Sequence, residues 1–153
     1  MVRTAREIVS EFSLHRCIRC GACGDACPSG RCGGIDPDDT IYGLLDADPA
    51  SELNEIKENA WKCLMCHRCS MNCPQDIDVT GTIRTLRYMN ALSGNIPKRF
   101  RMASATLAKE GRAFPVNEIV NKKREALGLD PLEIDGDAVS ELRKIMERTG
   151  YVD

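Results

Sequence analysis

At 153 residues the chain has room for one compact domain or two small lobes, and a domain of this size buries roughly two-thirds of its extended surface. Lys plus Arg number 21 against 23 Asp plus Glu, a net charge of −2. That balance excludes nucleic acid as the main partner, which would need a basic excess. Aromatic residues make up only 5% of the chain, with a single Trp61, and nine cysteines offer an inorganic supplement to so thin a core.

In chain order the pattern is helical. The leading MVRTAREIVSEF is charged and has no apolar h-region, so it reads as a helix and not as a secretory signal. Thr4-x-x-Glu7 forms a capping box that opens this helix and sets Ile8, Val9 and Phe12 on one side. A first cysteine run follows at residues 17–27, and Gly21, Ala22 and Gly24 let its loop curl sharply. Asp36-Pro37 and Asp48-Pro49 each read as an N-cap with proline at the first helical position. The helices they open bury Ile41, Leu44 and Leu45, then Leu53 and Ile56.

A second cysteine run occupies residues 63–73. Beyond it Asp78 caps a helix carrying Val79, Ile83, Leu86 and Asn90 at three-to-four spacing, ending near Gly94. Pro97 starts another, closed by Gly111, and residues 117–127 and 137–149 repeat the design with Gly128 and Gly150 as stops. No window alternates as a strand does, and no run approaches the roughly twenty apolar residues of a membrane span. The expected fold is all-α: a two-cluster domain over residues 1–95 and a helical, partner-docking extension over residues 96–153.

Eight of the nine cysteines form two copies of one spacing, Cys17-x2-Cys20-x2-Cys23-x3-Cys27-Pro28 and Cys63-x2-Cys66-x2-Cys69-x3-Cys73-Pro74. This run is associated with [4Fe–4S] clusters, and in two-cluster proteins its fourth cysteine ligates the other cluster. The spacing therefore predicts a first cluster on Cys17, Cys20, Cys23 and Cys73, and a second on Cys63, Cys66, Cys69 and Cys27. Zinc fits poorly, because its usual sites take two C-x2-C pairs separated by a spacer. A [3Fe–4S] cluster is also disfavoured, since Cys20 and Cys66, the cysteines it usually lacks, are both present.

Dense cysteines without a secretory signal point to the reducing cytoplasm and to metal or redox chemistry, not to disulfides. Cys32 is left over, and we read it as a small turn residue in preference to a substitute ligand or redox-sensitive thiol. His67, inside the second run, either tunes a cluster by hydrogen bonding or faces solvent. The basic groups Arg84/Arg87, Lys98/Arg99/Arg101 and Lys122/Lys123/Arg124 read as solvated helix faces, with a docking surface for an acidic partner as the alternative.

A cluster saturated by four thiolates has no open site for substrate, yet it accepts and releases one electron. No G-x-G-x-x-G signals a dinucleotide or flavin domain, and no adjacent Cys-Cys pair is present. The chain is thus expected to relay electrons and to have no catalytic residues of its own. The arrangement of two repeated binding loops joined by a helical spacer over residues 27–63 resembles the helical ferredoxin domain of succinate dehydrogenase and fumarate reductase iron–sulfur subunits.

More specifically, Cys27-Pro-Ser-Gly-Arg31, Trp61-Lys-Cys63 through Cys73-Pro74 and Ile83-Arg84-x-x-Arg87 resemble the C-type iron–sulfur subunit of heterodisulfide reductase. Residues 111–117 (GRAFPVN), 123–130 (KREALGLD) and 141–151 (ELRKIMERTGY) are similar to the C-terminal part of that family. The resemblance implies a cytoplasmic complex of methanogens with two [4Fe–4S] clusters in this subunit. Electrons would pass from the flavin of an A-type, iron–sulfur-containing subunit to a catalytic B-type subunit, which reduces the mixed disulfide of coenzyme M and coenzyme B. Hydrogenase or formate dehydrogenase would supply them upstream. Cys32 and a short lead before Cys17 depart from the family pattern, which keeps sulfur-oxidising counterparts open. A free ferredoxin-like carrier, a succinate/fumarate-type relay and a structural or oxygen-sensing cluster module are the competing readings.

Overall fold

The computed structural model describes residues 3–48 and 53–150. Among these residues the chain forms helices and short 3-10 turns and no strand, so the protein is all-α. It divides into two compact units, Met1–Asn95 and Ile96–Asp153.

In the first unit, helix α1 (Ala5–Glu11) opens with the expected capping box: Glu7 N–H donates to Thr4 Oγ1, and Thr4 N–H donates to the Glu7 carboxylate at 2.7 Å. A one-turn helix, α2 (Ala22–Asp25), lies within the first cysteine run, and α3 (Pro37–Asp46) follows. Asp36 stands at the α3 N-cap, with Pro37 entering the helix, yet its side chain makes no capping bond. The carboxylate instead presses against Gly30, where a Cβ would lie 2.3 Å from Asp36 Oδ1. Pro49, half of the other expected cap, lies outside the described residues. The next helix, α4 (Asn54–Asn59), is entered from Leu53 in left-handed backbone at φ 56°.

A second one-turn helix, α5 (Arg68–Met71), sits in the second cysteine run. The long α6 (Val79–Leu92) is capped by Asp78, whose carboxylate accepts from Gly81 N–H at 2.8 Å. Its buried face carries Val79, Ile83, Leu86 and Met89. Asn90 continues that stripe, and its amide donates to the Lys57 carbonyl on α4. Helix α6 packs on α3 and α4, α1 packs on α3, and α2 packs directly on α5. The core is aliphatic and small, built from Ile8, Leu14, Ile35, Ile41, Leu44, Ile83 and Leu86, with Cys27 and Cys69 buried among them.

The second unit holds α7 (Lys98–Glu110), α8 (Glu118–Glu125) and α9 (Gly136–Arg148), with α7 packed on α9. Gly111 ends α7 at φ 69°, a left-handed conformation that glycine adopts at least cost. Asn117 caps α8 and Asp135 caps α9 through their side chains. Asn121 ties the following loop down, donating to Leu132 O at 3.2 Å and accepting from Leu132 N–H at 2.9 Å. Among the described residues of this unit only Met146 is a buried hydrophobic side chain. Met102, Phe114, Ile119, Leu127 and Ile145 stay exposed.

Ile83 is fully buried and Tyr88, farther along the same helix, is 60% exposed. Ile83→Ala is expected to lower the unfolding free energy by about 2–5 kcal/mol, and Tyr88→Ala to change it by less than about 0.5 kcal/mol, as read by anaerobic chemical denaturation of the full chain.

Candidate metal centre

The two cysteine runs fold as a repeat down to their backbone angles. Each is entered through a 3-10 turn, Leu14–Arg16 or Ala60–Lys62, whose first carbonyl accepts from the leading cysteine: Cys17 N–H at 2.9 Å and Cys63 N–H at 3.2 Å. Two residues later the chain turns left-handed, at Arg19 (φ 53°) and Met65 (φ 54°). This turn aims Arg19 N–H at Cys17 Sγ (3.4 Å) and Met65 N–H at Cys63 Sγ (3.3 Å). A second left-handed residue, Gly21 (φ 75°) or His67 (φ 63°), starts the one-turn helix. The helix then closes on the fourth cysteine: Cys27 N–H donates to Gly24 O at 2.9 Å and Cys73 N–H to Ser70 O at 3.2 Å.

Two hollows result, and each draws on both runs. The first, about 360 Å³ including its mouth, is lined by Cys17, Cys20, Cys23 and Cys73, with apolar walls from Ile18, Ile41, Tyr42, Ile77 and Val79. The second, about 280 Å³, is lined by Cys27, Cys63, Cys66 and Cys69, with Pro28, Pro37, Leu64, His67 and Thr80. Packing α2 against α5 brings the fourth cysteine of each run to the hollow of the other, while the prolines at 28 and 74 redirect the backbone.

The thiols that the spacing singles out are thus gathered four and four. Cys20 and Cys66 are exposed, and Cys27 and Cys69 are buried. Cys32 is exposed and lines neither hollow. His67 is exposed and makes no hydrogen bond to a cysteine sulfur among the described residues; it holds the left-handed position that Gly21 occupies in the first run. Among the described residues no group of three or more His, Cys, Asp or Glu side chains is arranged to hold a single metal ion.

The donors match a larger, softer group. Thiolates are the ligands iron–sulfur clusters prefer, and the N–H groups of Arg19, Met65 and Gly30 point at the sulfurs of Cys17, Cys63 and Cys27. As a free thiol, Cys23 is pushed up to about 12, first by burial and then by the Asp38 carboxylate. Burial likewise raises the Cys63 thiol, against the pull of Met65 N–H and the Arg87 guanidinium. The Cys27 thiol donates to Ile35 O at 3.4 Å, a bond that metal binding would replace. A cation beside them would favour the thiolates of Cys23 and Cys63 that burial disfavours.

Arg87 has a role that its sequence context does not reveal. Its pairing with Arg84 suggests a solvated basic face, but its guanidinium donates to the carbonyls of Ala60 (2.8 Å), Trp61 (3.3 Å) and Cys63, and stacks 5.5 Å from the Trp61 ring. It clamps the entry to the second run from a helix more than twenty residues away. The exposed Arg84 does fit the solvated reading.

A family described as the 4Fe-4S dicluster domain matches residues 13–77, the segment that carries all eight cysteines lining the hollows. The chain is 32% identical over 142 residues to the C-type subunit of the ferredoxin/F420H2-dependent CoB-CoM heterodisulfide reductase of Methanosarcina acetivorans, covering 89% of this chain and 85% of that protein. The chain belongs to the family of C-type heterodisulfide reductase subunits. It is also 34% identical over 116 residues to the C-type subunit of the ferredoxin:CoB-CoM heterodisulfide reductase of Methanosarcina mazei, 76% of this chain and 70% of that one. The C2 subunit of the H2/formate:CoB-CoM heterodisulfide,ferredoxin reductase of Methanococcus maripaludis is 36% identical over 118 residues. That match covers 76% of this chain but only 62% of the longer relative.

As a member of this family the protein carries two [4Fe–4S] clusters and acts in electron transfer. When bound, each cluster supplies a one-electron redox centre. The chain's own part is to present thiolates, exclude water with apolar walls and direct N–H groups at sulfur. No helix among the described residues is long and apolar enough to cross a membrane.

Burial favours the protonated thiol at Cys23 and Cys63, so acid works against any thiolate these residues would contribute to a cluster. Lowering the pH by about two units is expected to speed iron release to a chelator at least about tenfold, followed as loss of the visible sulfur-to-iron absorption. A release rate independent of pH contradicts this account of the thiols.

Proposed function

We propose that the chain is the electron-relay subunit of a heterodisulfide reductase complex. It takes electrons from a flavin-bearing A-type partner and passes them to a catalytic B-type partner that reduces the mixed disulfide of coenzyme M and coenzyme B. In this reading Cys17, Cys20, Cys23 and Cys73 hold the first cluster, and Cys63, Cys66, Cys69 and Cys27 hold the second. The supporting observation is that each hollow is lined by four cysteines, three from one run and the fourth from the other.

Each hollow meets the surface at an exposed cysteine flanked by an exposed aliphatic residue: Cys20 beside Ile18 (60% exposed) and Cys66 beside Leu64 (65% exposed). Two such edges suit a relay, because electrons can enter at one and leave at the other. The unit Ile96–Asp153 is assigned to partner docking, since its exposed Phe114, Ile119 and Leu127 leave it more apolar surface than its single buried methionine can organise. A freely diffusing carrier has little use for such a surface. The cytoplasm is the matching compartment, with hydrogenase or formate dehydrogenase upstream of the flavin-bearing partner.

Tagged chain expressed with its genomic neighbours is expected to purify with the flavin-bearing and catalytic partners as a stable complex. A chain that stays monomeric beside them, and is reduced quickly by unrelated donors, overturns the relay assignment in favour of a free carrier. Cys20→Ser is expected to lose about half of the iron and labile sulfide, and Cys32→Ser to retain all of it. Unchanged iron in the first variant contradicts the ligand sets, and lost iron in the second makes Cys32 a ligand.

A further inference from the structure

The repeat is close in backbone but not in what faces the third cysteine of each run. Cys23 and Cys69 occupy equivalent positions ahead of the fourth cysteine. Beside Cys23 stands a carboxylate. Asp38, in the first turn of α3, is packed so closely on Gly24 that a Cβ there would lie 2.4 Å from Asp38 Oδ1. Asp38 is half-buried and makes no hydrogen bond or ion pair among the described residues. Gly24 follows Cys23 in the chain, so this carboxylate is a near neighbour of the third cysteine of the first run.

Beside Cys69 stands a hydroxyl. Thr80 Oγ1, on a residue 1% exposed, lies 3.4 Å from Cys69 Sγ. Its position is set by neighbours: Thr80 N–H donates to Ser70 Oγ at 2.9 Å, and the Ser70 hydroxyl has both Thr80 Oγ1 at 3.0 Å and Asp78 Oδ1 at 3.1 Å as acceptors. Once Cys69 is a thiolate it can only accept, so the Thr80 proton goes to sulfur. A hydrogen bond to sulfur and a nearby negative charge act on a cluster in opposite directions. The first stabilises the reduced, more negative state and the second disfavours it.

We propose that Asp38 and Thr80 set the two clusters at different reduction potentials, with the cluster in the second hollow the stronger electron acceptor. The proposal rests on the ligand sets given above. One electron delivered to the chain then settles on the Cys27/Cys63/Cys66/Cys69 side. Internal transfer moves one electron from the first cluster, which is oxidised, to the second, which is reduced, with no proton and no bond made or broken.

Other charges do not reverse the contrast: Asp78, bonded to Ser70 Oγ at 3.1 Å on the second side, is exposed and also accepts from Gly81 N–H. Arg19, near Cys17, is paired with Asp46. Asp36 presses on Gly30, whose N–H donates to Cys27 Sγ, but Asp36 is exposed and screened by water. Arg87, clamped on the Cys63 carbonyl, adds positive charge on the second side.

The test is an EPR-monitored redox titration of the full chain, anaerobically loaded with iron and sulfide, as wild type, Asp38→Asn and Thr80→Val. Wild type is expected to show two separate one-electron midpoints. Thr80→Val lowers the upper midpoint alone and Asp38→Asn raises the lower midpoint alone. Each moves by about the equivalent of a tenfold change in electron distribution, or about 59 mV for a one-electron couple. A single shared midpoint in wild type, a Thr80→Val effect on the lower midpoint, or midpoints unmoved in both variants overturns the proposal while the ligand sets stand. Iron and sulfide sufficient for only one cubane in wild type overturns the ligand sets, and this proposal with them.

Discussion

The structure depends on the exchange of two cysteines between loops that are far apart in sequence. Cys27 leaves its own run to reach the hollow of the second, and Cys73 makes the reverse crossing. With α2 packed directly on α5, neither hollow is complete until both halves of the first unit have folded. A core of small aliphatic side chains, with cysteines among its buried members, is a weak organiser by itself. Metal–thiolate bonds supply what the missing aromatic rings do not, and they couple metal binding to folding in the manner expected of small metalloproteins.

That dependence explains the arrangement around the hollows. Helices α3 and α6 bring side chains to cysteines they do not adjoin in sequence. Tyr42, Ile41 and Val79 wall the first hollow, and Pro37 and Thr80 reach the second. Arg87 fixes three carbonyls at the entry to the second run with one planar side chain, using the fork of donors that suits arginine to such groups. The spacer between the runs thus does more than hold them apart: with α6 it carries the groups that give each hollow its polarity.

What the sequence makes legible is whatever is local. The caps at Thr4 and Asp78 and the glycine stop at Gly111 are readable because donor and acceptor lie within three or four residues of one another. The cysteine grouping is readable because the spacing of each run already encodes it. Asp36 shows the limit: its position at the start of α3 is evident, yet its carboxylate turns to Gly30, six residues back, and makes no cap. Asp38, Thr80 and Arg87 are invisible as site residues because their contacts cross between helices and loops. His67 draws notice for its imidazole, whereas the structure gives it a backbone task in a left-handed turn. The helices of the second unit are foreseeable, but not that they bury so little of their apolar surface.

The exposure of Cys20 and Cys66 carries a cost of its own. In the proposed ligand sets these cysteines hold the cluster corners nearest the surface, so an electron arriving from a neighbouring protein would meet them first, and so would dioxygen. Efficient tunnelling and oxidative fragility then share one address. A protein built this way is safest away from dioxygen, with both exposed edges covered.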